Sequence, residues 1–279
     1  MAKLASLVFI FSLLTTLVLL TSYQATSQEV EDESEFNYDE ESTKGPQHWG
    51  DIKPELWFKC KNGTRQSPID LSNQTVQIVN NLGRLQINYN PSNATLKNRG
   101  HDIKLELLAN TSYLQINGTQ YILKQLHWHS PSEHTINGKR YDLELHLVHE
   151  TPSGKIAVIG VLYKIGLIPD PFLALLTKDL VAISNSTGAE RAVGVVDPRI
   201  VNFSRTQYYR YMGSLTTPAC TENITWTVVK EVKSVLKEQI ELLQVAVHDE
   251  SNTNARPLQP LNNRLVQLNY YGPGHGPTV

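Results

Sequence analysis

Cysteine is scarce in this chain: two residues, Cys60 and Cys220, among 279. They allow one disulfide at most, and two unrelated buried thiols remain the alternative. Net charge is also small, at -2. That balance predicts no nucleic-acid partner: a mildly basic body behind an acidic run is no DNA-binding signature. The near-neutral total hides an acidic block: Glu29, Glu31, Asp32, Glu33, Glu35, Asp39, Glu40 and Glu41 stand within thirteen residues with no base. There is no internal repeat and no long apolar run beyond the first twenty residues. The helical zinc-protease pattern H-E-x-x-H is missing. The C-terminal G-P-G-H-G-P-T-V is no lipid-anchor signal.

What is present begins with Lys3 followed by the apolar run 4–20, then small and polar residues with Ala25 and Ser27 placed for cleavage. That order predicts a secretory signal over 1–27. An uncleaved anchor is the competing reading of a run nearly long enough to span. Eight N-x-S/T sequons agree with export, and seven of them, at Asn62, Asn73, Asn93, Asn110, Asn117, Asn185 and Asn202, are glycosylation candidates; the eighth is at Asn223. In an oxidising compartment the cysteine pair reads as a bridge. Export to the extracellular space or cell wall is expected, with a plastid reached through the secretory route as the alternative. The acidic stretch 28–43 is expected to be a flexible, solvated linker. A catalytic domain is expected over 44–272, with a short tail at 273–279.

Between 76 and 163 short alternating runs recur, separated by turn residues. Asn117-Gly118 and Asn137-Gly138 are strong hairpin signals. The run 155–163 is almost continuously apolar, as in a strand buried on both faces. Helix signals are few: Asp170-Pro171 opens one short segment, and 234–245 carries an apolar stripe. The expected fold is mainly β (α+β): a single domain with a large, mostly antiparallel twisted central sheet and a few peripheral helices.

Five of the nine histidines lie within 125–149. In a strand, residues two apart share a face. Gln125, His127 and His129 therefore share one side. On the later strand Glu144, His146 and Val148 do the same. If the two strands are antiparallel neighbours, three imidazoles meet at one point. That is the donor set of a zinc site with one position left open. Each of His127 and His146 has an acceptor two residues before it, Gln125 and Glu144, suited to the second ring N–H. The pattern His127-x-His129-x-x-x-Glu133 also matches part of the cupin metal motif, which would make Glu133 a ligand. That reading leaves Glu144 without a role.

Five separated stretches resemble the α-class carbonic anhydrases in the family's order. They are Q-S-P-I-D (66–70), Q-L-H-W-H-S-P-S-E-H-T-I (125–136), Y-D-L-E-L-H-L-V-H (141–149), G-S-L-T-T-P-A-C (213–220) and R-P-L-Q-P-L-N-N-R (256–264). The likeness is nearest to plant members and covers about 45–272. It implies one Zn²⁺ per chain on His127, His129 and His146, and reversible hydration of CO2 to bicarbonate and a proton by a zinc-bound hydroxide. It implies that Gln125, Glu144 and the Asn254 carbonyl steady the ligands. Thr216 and Glu133 would orient the nucleophile, and His101 would shuttle the proton from the solvent side. Thr217 would contact substrate beside an apolar wall of Val148, Val158, Leu215, Ile224 and Trp226. Arg99 and Lys104 would add two cations near His101 and lower its pKa. His134 would bond Tyr211 and bind no metal, and Cys60–Cys220 would be bridged. Asn223 is set aside as a glycan site because Ile224 and Trp226 belong inside. CO2 and bicarbonate are the only partners implied; no stable membrane anchor is expected, and oligomeric state is left open. A non-catalytic binding or storage protein on the same fold is the alternative.

Overall fold

The computed structural model describes residues 35–247 and 253–270. The expected signal (1–27) and tail (273–279) lie outside the described residues. Fifteen strands appear, in chain order: β1 (Asp70–Leu71), β2 (Gln77–Val79), β3 (Gln86–Asn88), β4 (Ser92–Asn98), β5 (Ile103–Leu107), β6 (Tyr113–Ile116), β7 (Thr119–His129) and β8 (Thr135–Ile136); then β9 (Lys139–Arg140), β10 (Leu143–Glu150), β11 (Ile156–Ile165), β12 (Glu190–Val196), β13 (Tyr208–Ser214), β14 (Glu222–Val235) and β15 (Gln267–Asn269). The α-helices among the described residues are α1 (Trp49–Ile52), α2 (Pro54–Asn62), α3 (Pro171–Ile183) and α4 (Lys237–Gln244). None is long and apolar enough to cross a membrane.

Ten strands follow one another in the order β12-β4-β5-β7-β10-β11-β14-β13-β15-β2, with β3 and β6 joined at the side of β7. Most pairs are antiparallel; β11–β14 and β15–β2 are parallel. The large, mostly antiparallel sheet with few helices is therefore as the sequence predicts. Its faces follow the pleat. Leu126, Trp128, Leu143, Leu145, Leu147, Ile159 and Val161 enter one core with Phe172, Leu173 and Leu176 of α3. Val148, Val158, Leu162, Ile224, Trp226 and Val228 form a second cluster on the other face. The run 155–163 reads as continuously apolar because β11 is covered on both sides.

Helix α3 begins where Asp170-Pro171 predicts; the Asp170 carboxylate accepts the Leu173 backbone N–H at 2.9 Å. The stripe over 234–245 is divided: β14 runs on to Val235 and the helix starts only at Lys237. Asn117 and Gly118 both take positive φ (49° and 79°) in the β6–β7 hairpin. Asn137-Gly138 turns the small β8–β9 hairpin, an excursion between β7 and β10. Those two strands pair antiparallel nonetheless.

The expected linker over 28–43 needs correction from residue 35 onward. Phe36 and Tyr38 are buried and pack edge-on against Trp49. Trp57 and the Cys60–Cys220 disulfide complete this third cluster. Two aromatic side chains bury enough apolar surface to order a short acidic segment. The seven glycan candidates are all exposed. Asn223 is exposed too, because the pleat turns it outward while Ile224 and Trp226 turn in; its Oδ1 accepts from Arg65 at 2.7 Å.

Candidate metal centre

Register brings the histidines together. His146 of β10 lies opposite His127 of β7, and Glu144 opposite His129. His127 and His129 share a face because they are two apart. One nitrogen of each ring is committed elsewhere. His127 Nδ1 donates to Gln125 Oε1 at 2.8 Å, His129 Nδ1 to the Asn254 carbonyl at 2.6 Å, and His146 Nε2 to Glu144 Oε1 at 2.9 Å. The opposite nitrogens point at one another, all within 4.8 Å. His129 Nε2 is buried without a hydrogen-bond partner among the described residues. Three inward nitrogens with tautomers set from behind fit a cation that takes neutral imidazole, as zinc does.

Electrostatics favour the neutral ring at His127 and, without a cation, the protonated ring at His129. Burial, then the adjoining His129, pushes the pKa of His127 well below the usual imidazole value, so the ring stays neutral. His129 is raised: burial opposes its charge, but the Glu133 carboxylate and the Asn254 carbonyl outweigh it. Glu144 is held well below the usual carboxylate range, since His134 and His146 overcome the cost of burying it. Gly160 lies opposite His146, and a β-carbon there would come within 2.8 Å of Glu144 Oε1.

A second layer supports Glu144. His134 donates from Nδ1 to Glu144 Oε1 and accepts the Tyr211 hydroxyl at Nε2, both at 2.7 Å. Tyr211 meets Ser67 Oγ at 2.8 Å, and Ser67 Oγ accepts the Ser214 N–H. The Ser67 end of this chain went unread in the sequence; Q-S-P-I-D marked the stretch but not the contact.

Glu133 is buried 3.7 Å from His129 Nε2. Its Oε1 accepts the Arg256 backbone N–H at 2.9 Å, and its Oε2 has no hydrogen-bond partner among the described residues. Thr216 is buried in the 215–220 loop, and no hydrogen bond joins it to Glu133 here. Thr217 Oγ1 is buried and unpartnered among the described residues. Val148, Val158, Leu215, Ile224 and Trp226 sit in one cluster, and the Trp226 ring is 4.9 Å from that of His146.

His101 differs from expectation. It is 1% exposed, not solvent-facing. Its ring centroid lies 4.9 Å from that of Phe36 and 6.4 Å from that of Tyr38. Asn254 donates to the His101 carbonyl at 2.8 Å, which ties this loop to His129. Arg99, expected as an added cation near His101, is ion-paired. Its Nε donates to Asp102 at 2.7 Å, and both side chains are buried. Burial would raise Asp102, but the Arg99 charge holds its carboxyl far below the usual range.

Fold and site together define a β-sheet protein with a buried three-imidazole centre fit for a divalent metal. Residues 44–270 match the family described as eukaryotic-type carbonic anhydrase. "Alpha carbonic anhydrase 7" of Arabidopsis thaliana is 54% identical over 261 residues, 94% of each chain. A crystal structure of dioscorin complexed with ascorbate superposes with a TM-score of 0.81 at 45% identity, covering 84% of this chain and 97% of that one. A hyperthermostable carbonic anhydrase identified from a hydrothermal vent chimney gives 0.74 at 36% identity, with 84% and 99% covered. The chain belongs to the eukaryotic-type carbonic anhydrase family.

Proposed function

We propose that the protein is an active carbonic anhydrase, a zinc lyase interconverting CO2 and bicarbonate. The observation that carries this is the convergence of one inward-facing ring nitrogen from each of His127, His129 and His146, all within 4.8 Å. Bound zinc supplies the acidity that makes water a nucleophile near neutral pH, about 7 in the carbonic anhydrases from which that value comes. The residues around it do the rest. In the reacting state the Thr216 hydroxyl donates to Glu133 Oε2, whose acceptor capacity is unspent. The Thr216 oxygen is then left to accept from the nucleophile and aim it. Thr217 Oγ1 serves an oxygen of the substrate. CO2 is apolar and rests against Val148, Val158, Leu215, Ile224 and Trp226.

Glu133→Gln tests this orientation. The Arg256 N–H would hold the amide oxygen at the Oε1 position. The NH2 then faces Thr216, a donor where an acceptor is needed. CO2 hydration is expected to fall about 100-fold or more with zinc content unchanged. Full activity in that variant rules out the Thr216–Glu133 pair.

His101 carries the proton outward, and Phe36 with Tyr38 must yield, or its ring must turn, for it to reach bulk water. His101→Ala should lower turnover in weak buffer, and added imidazole should restore it. An unchanged rate at low buffer removes His101 from the mechanism.

We also place the chain in the secretory route, ending outside the cell or in the cell wall. The Cys60–Cys220 bridge and the exposed sequons support this. A second reading, a ligand-binding or storage protein on the same fold, is favoured by the likeness to dioscorin, which was crystallised with ascorbate. The complete histidine set argues for the enzyme.

A further inference from the structure

A pocket of about 700 Å³ has no histidine in its lining and touches the histidine network only through Tyr211, which bonds His134. The loop before β3, the tip of the β6–β7 hairpin, β13 and the run into β15 enclose it. Its lining includes Arg84, Arg210, Arg264, Tyr121 and Tyr208, and no Asp or Glu. Arg210 alternates along β13 with Tyr209 and Tyr211, which belong to the cluster beside the metal centre. Arg210 therefore leaves from the other face of that strand.

None of the three guanidinium groups pairs with a carboxylate among the described residues. Arg210 donates its Nε to Thr227 Oγ1 at 2.9 Å and stacks 5.2 Å above the Tyr208 ring. Burial lowers its pKa, so its charge is held partly out of water. Arg264 donates to the carbonyls of Leu261, Pro260 and Met212 and lies 5.7 Å from the Tyr211 ring. Arg84 is exposed. Glu222 acts on Arg264 from outside the lining, but three cations around one concavity with no acid in its walls repel each other and attract anions. Guanidinium forks match carboxylate and phosphate oxygens, and the volume is that of a site for a small organic ligand.

We propose that this pocket binds a small organic anion bearing carboxylate or phosphate groups. Arg210 is its central contact, Arg84 and Arg264 flank it, and Tyr121 and Tyr208 meet its carbon skeleton. The proposal does not depend on the reaction at the histidines.

The test is calorimetric titration of the purified protein with citrate, repeated with inorganic phosphate as competitor. Citrate should bind wild-type protein and His127→Ala alike, and more weakly as salt rises. Arg210→Gln should weaken it about tenfold or more, the loss of a charge-assisted contact, with CO2 hydration unchanged. Displacement by phosphate assigns the site to phosphate-bearing ligands; failure to displace assigns it to polycarboxylates, and either supports the pocket. No citrate or phosphate binding at millimolar concentration overturns the proposal. So does citrate binding that survives Arg210→Gln or disappears in His127→Ala. If Arg210→Gln does not fold, exposed Arg84→Gln decides: weaker citrate binding supports the pocket and unchanged binding overturns it.

Discussion

Replacing His127 by alanine is expected to abolish both zinc binding and CO2 hydration while the sheet stays folded. The ring supplies one of three inward nitrogens, and two imidazoles leave an incomplete donor set. Loss of a residue that merely orients a ligand costs 10–100-fold in metal affinity as a rule, and loss of the ligand itself should exceed about 100-fold. Hydration should fall by on the order of a thousandfold or more. The fold has other supports: β7 keeps its pairing to β5 and β10, and Leu126 and Trp128 keep the opposite core. Elemental analysis, a pH-indicator assay of CO2 hydration and circular dichroism on one preparation check the three parts. Activity retained in the variant would locate the chemistry elsewhere.

Cys60→Ser carries the second large effect, on stability. The bridge closes a loop of 160 residues. Chain-entropy reasoning gives about 5 kcal/mol for a loop of that length. For a domain of this size that corresponds to a melting temperature lower by roughly 10 °C or more. The disulfide also joins the N-terminal aromatic cluster to the loop that bears Thr216 and Thr217. Cys220 N–H donates to the Thr217 carbonyl at 2.8 Å, and Arg256 donates to the Cys60 carbonyl at 3.1 Å. Zinc should stay, because its ligands are on β7 and β10, while hydration falls as the loop loosens. Equal melting of wild-type protein with and without reductant would show that the bridge does not carry this stability.

Both effects depend on contacts of different legibility. The metal centre was readable because it sits on strands. A period of two fixes which side chains share a face, so Gln125, His127, His129, Glu144 and His146 declared themselves within 25 residues. Asn254 holds His129 from 125 residues downstream, and only the family likeness pointed to it. The Ser67–Tyr211–His134 chain likewise joins three distant segments. Local pattern carries no information on such pairs.

Phe36 and Tyr38 were hidden by their neighbourhood. Eight acids in a short window read as solvated chain, and two aromatics weigh little in such an average. Their burial against Trp49 is a tertiary effect. It also explains the burial of His101, which a local N-R-G-H pattern, that of an open turn, does not announce. Arg99 misled for a related reason: Asp102, three residues on, neutralises it only once both are buried. The boundary of α4 failed because β14 continues through the start of the apolar stripe.

We propose that the three-histidine centre, loaded with zinc, hydrates CO2. The most direct test is stepwise return of Zn²⁺ to chelator-stripped protein, with hydration followed at each step. The stripped protein should show no catalysis, and the rate should rise in proportion to zinc and level at one zinc per chain. Hydration that persists without zinc, or a fully loaded centre that hydrates no CO2, would contradict it.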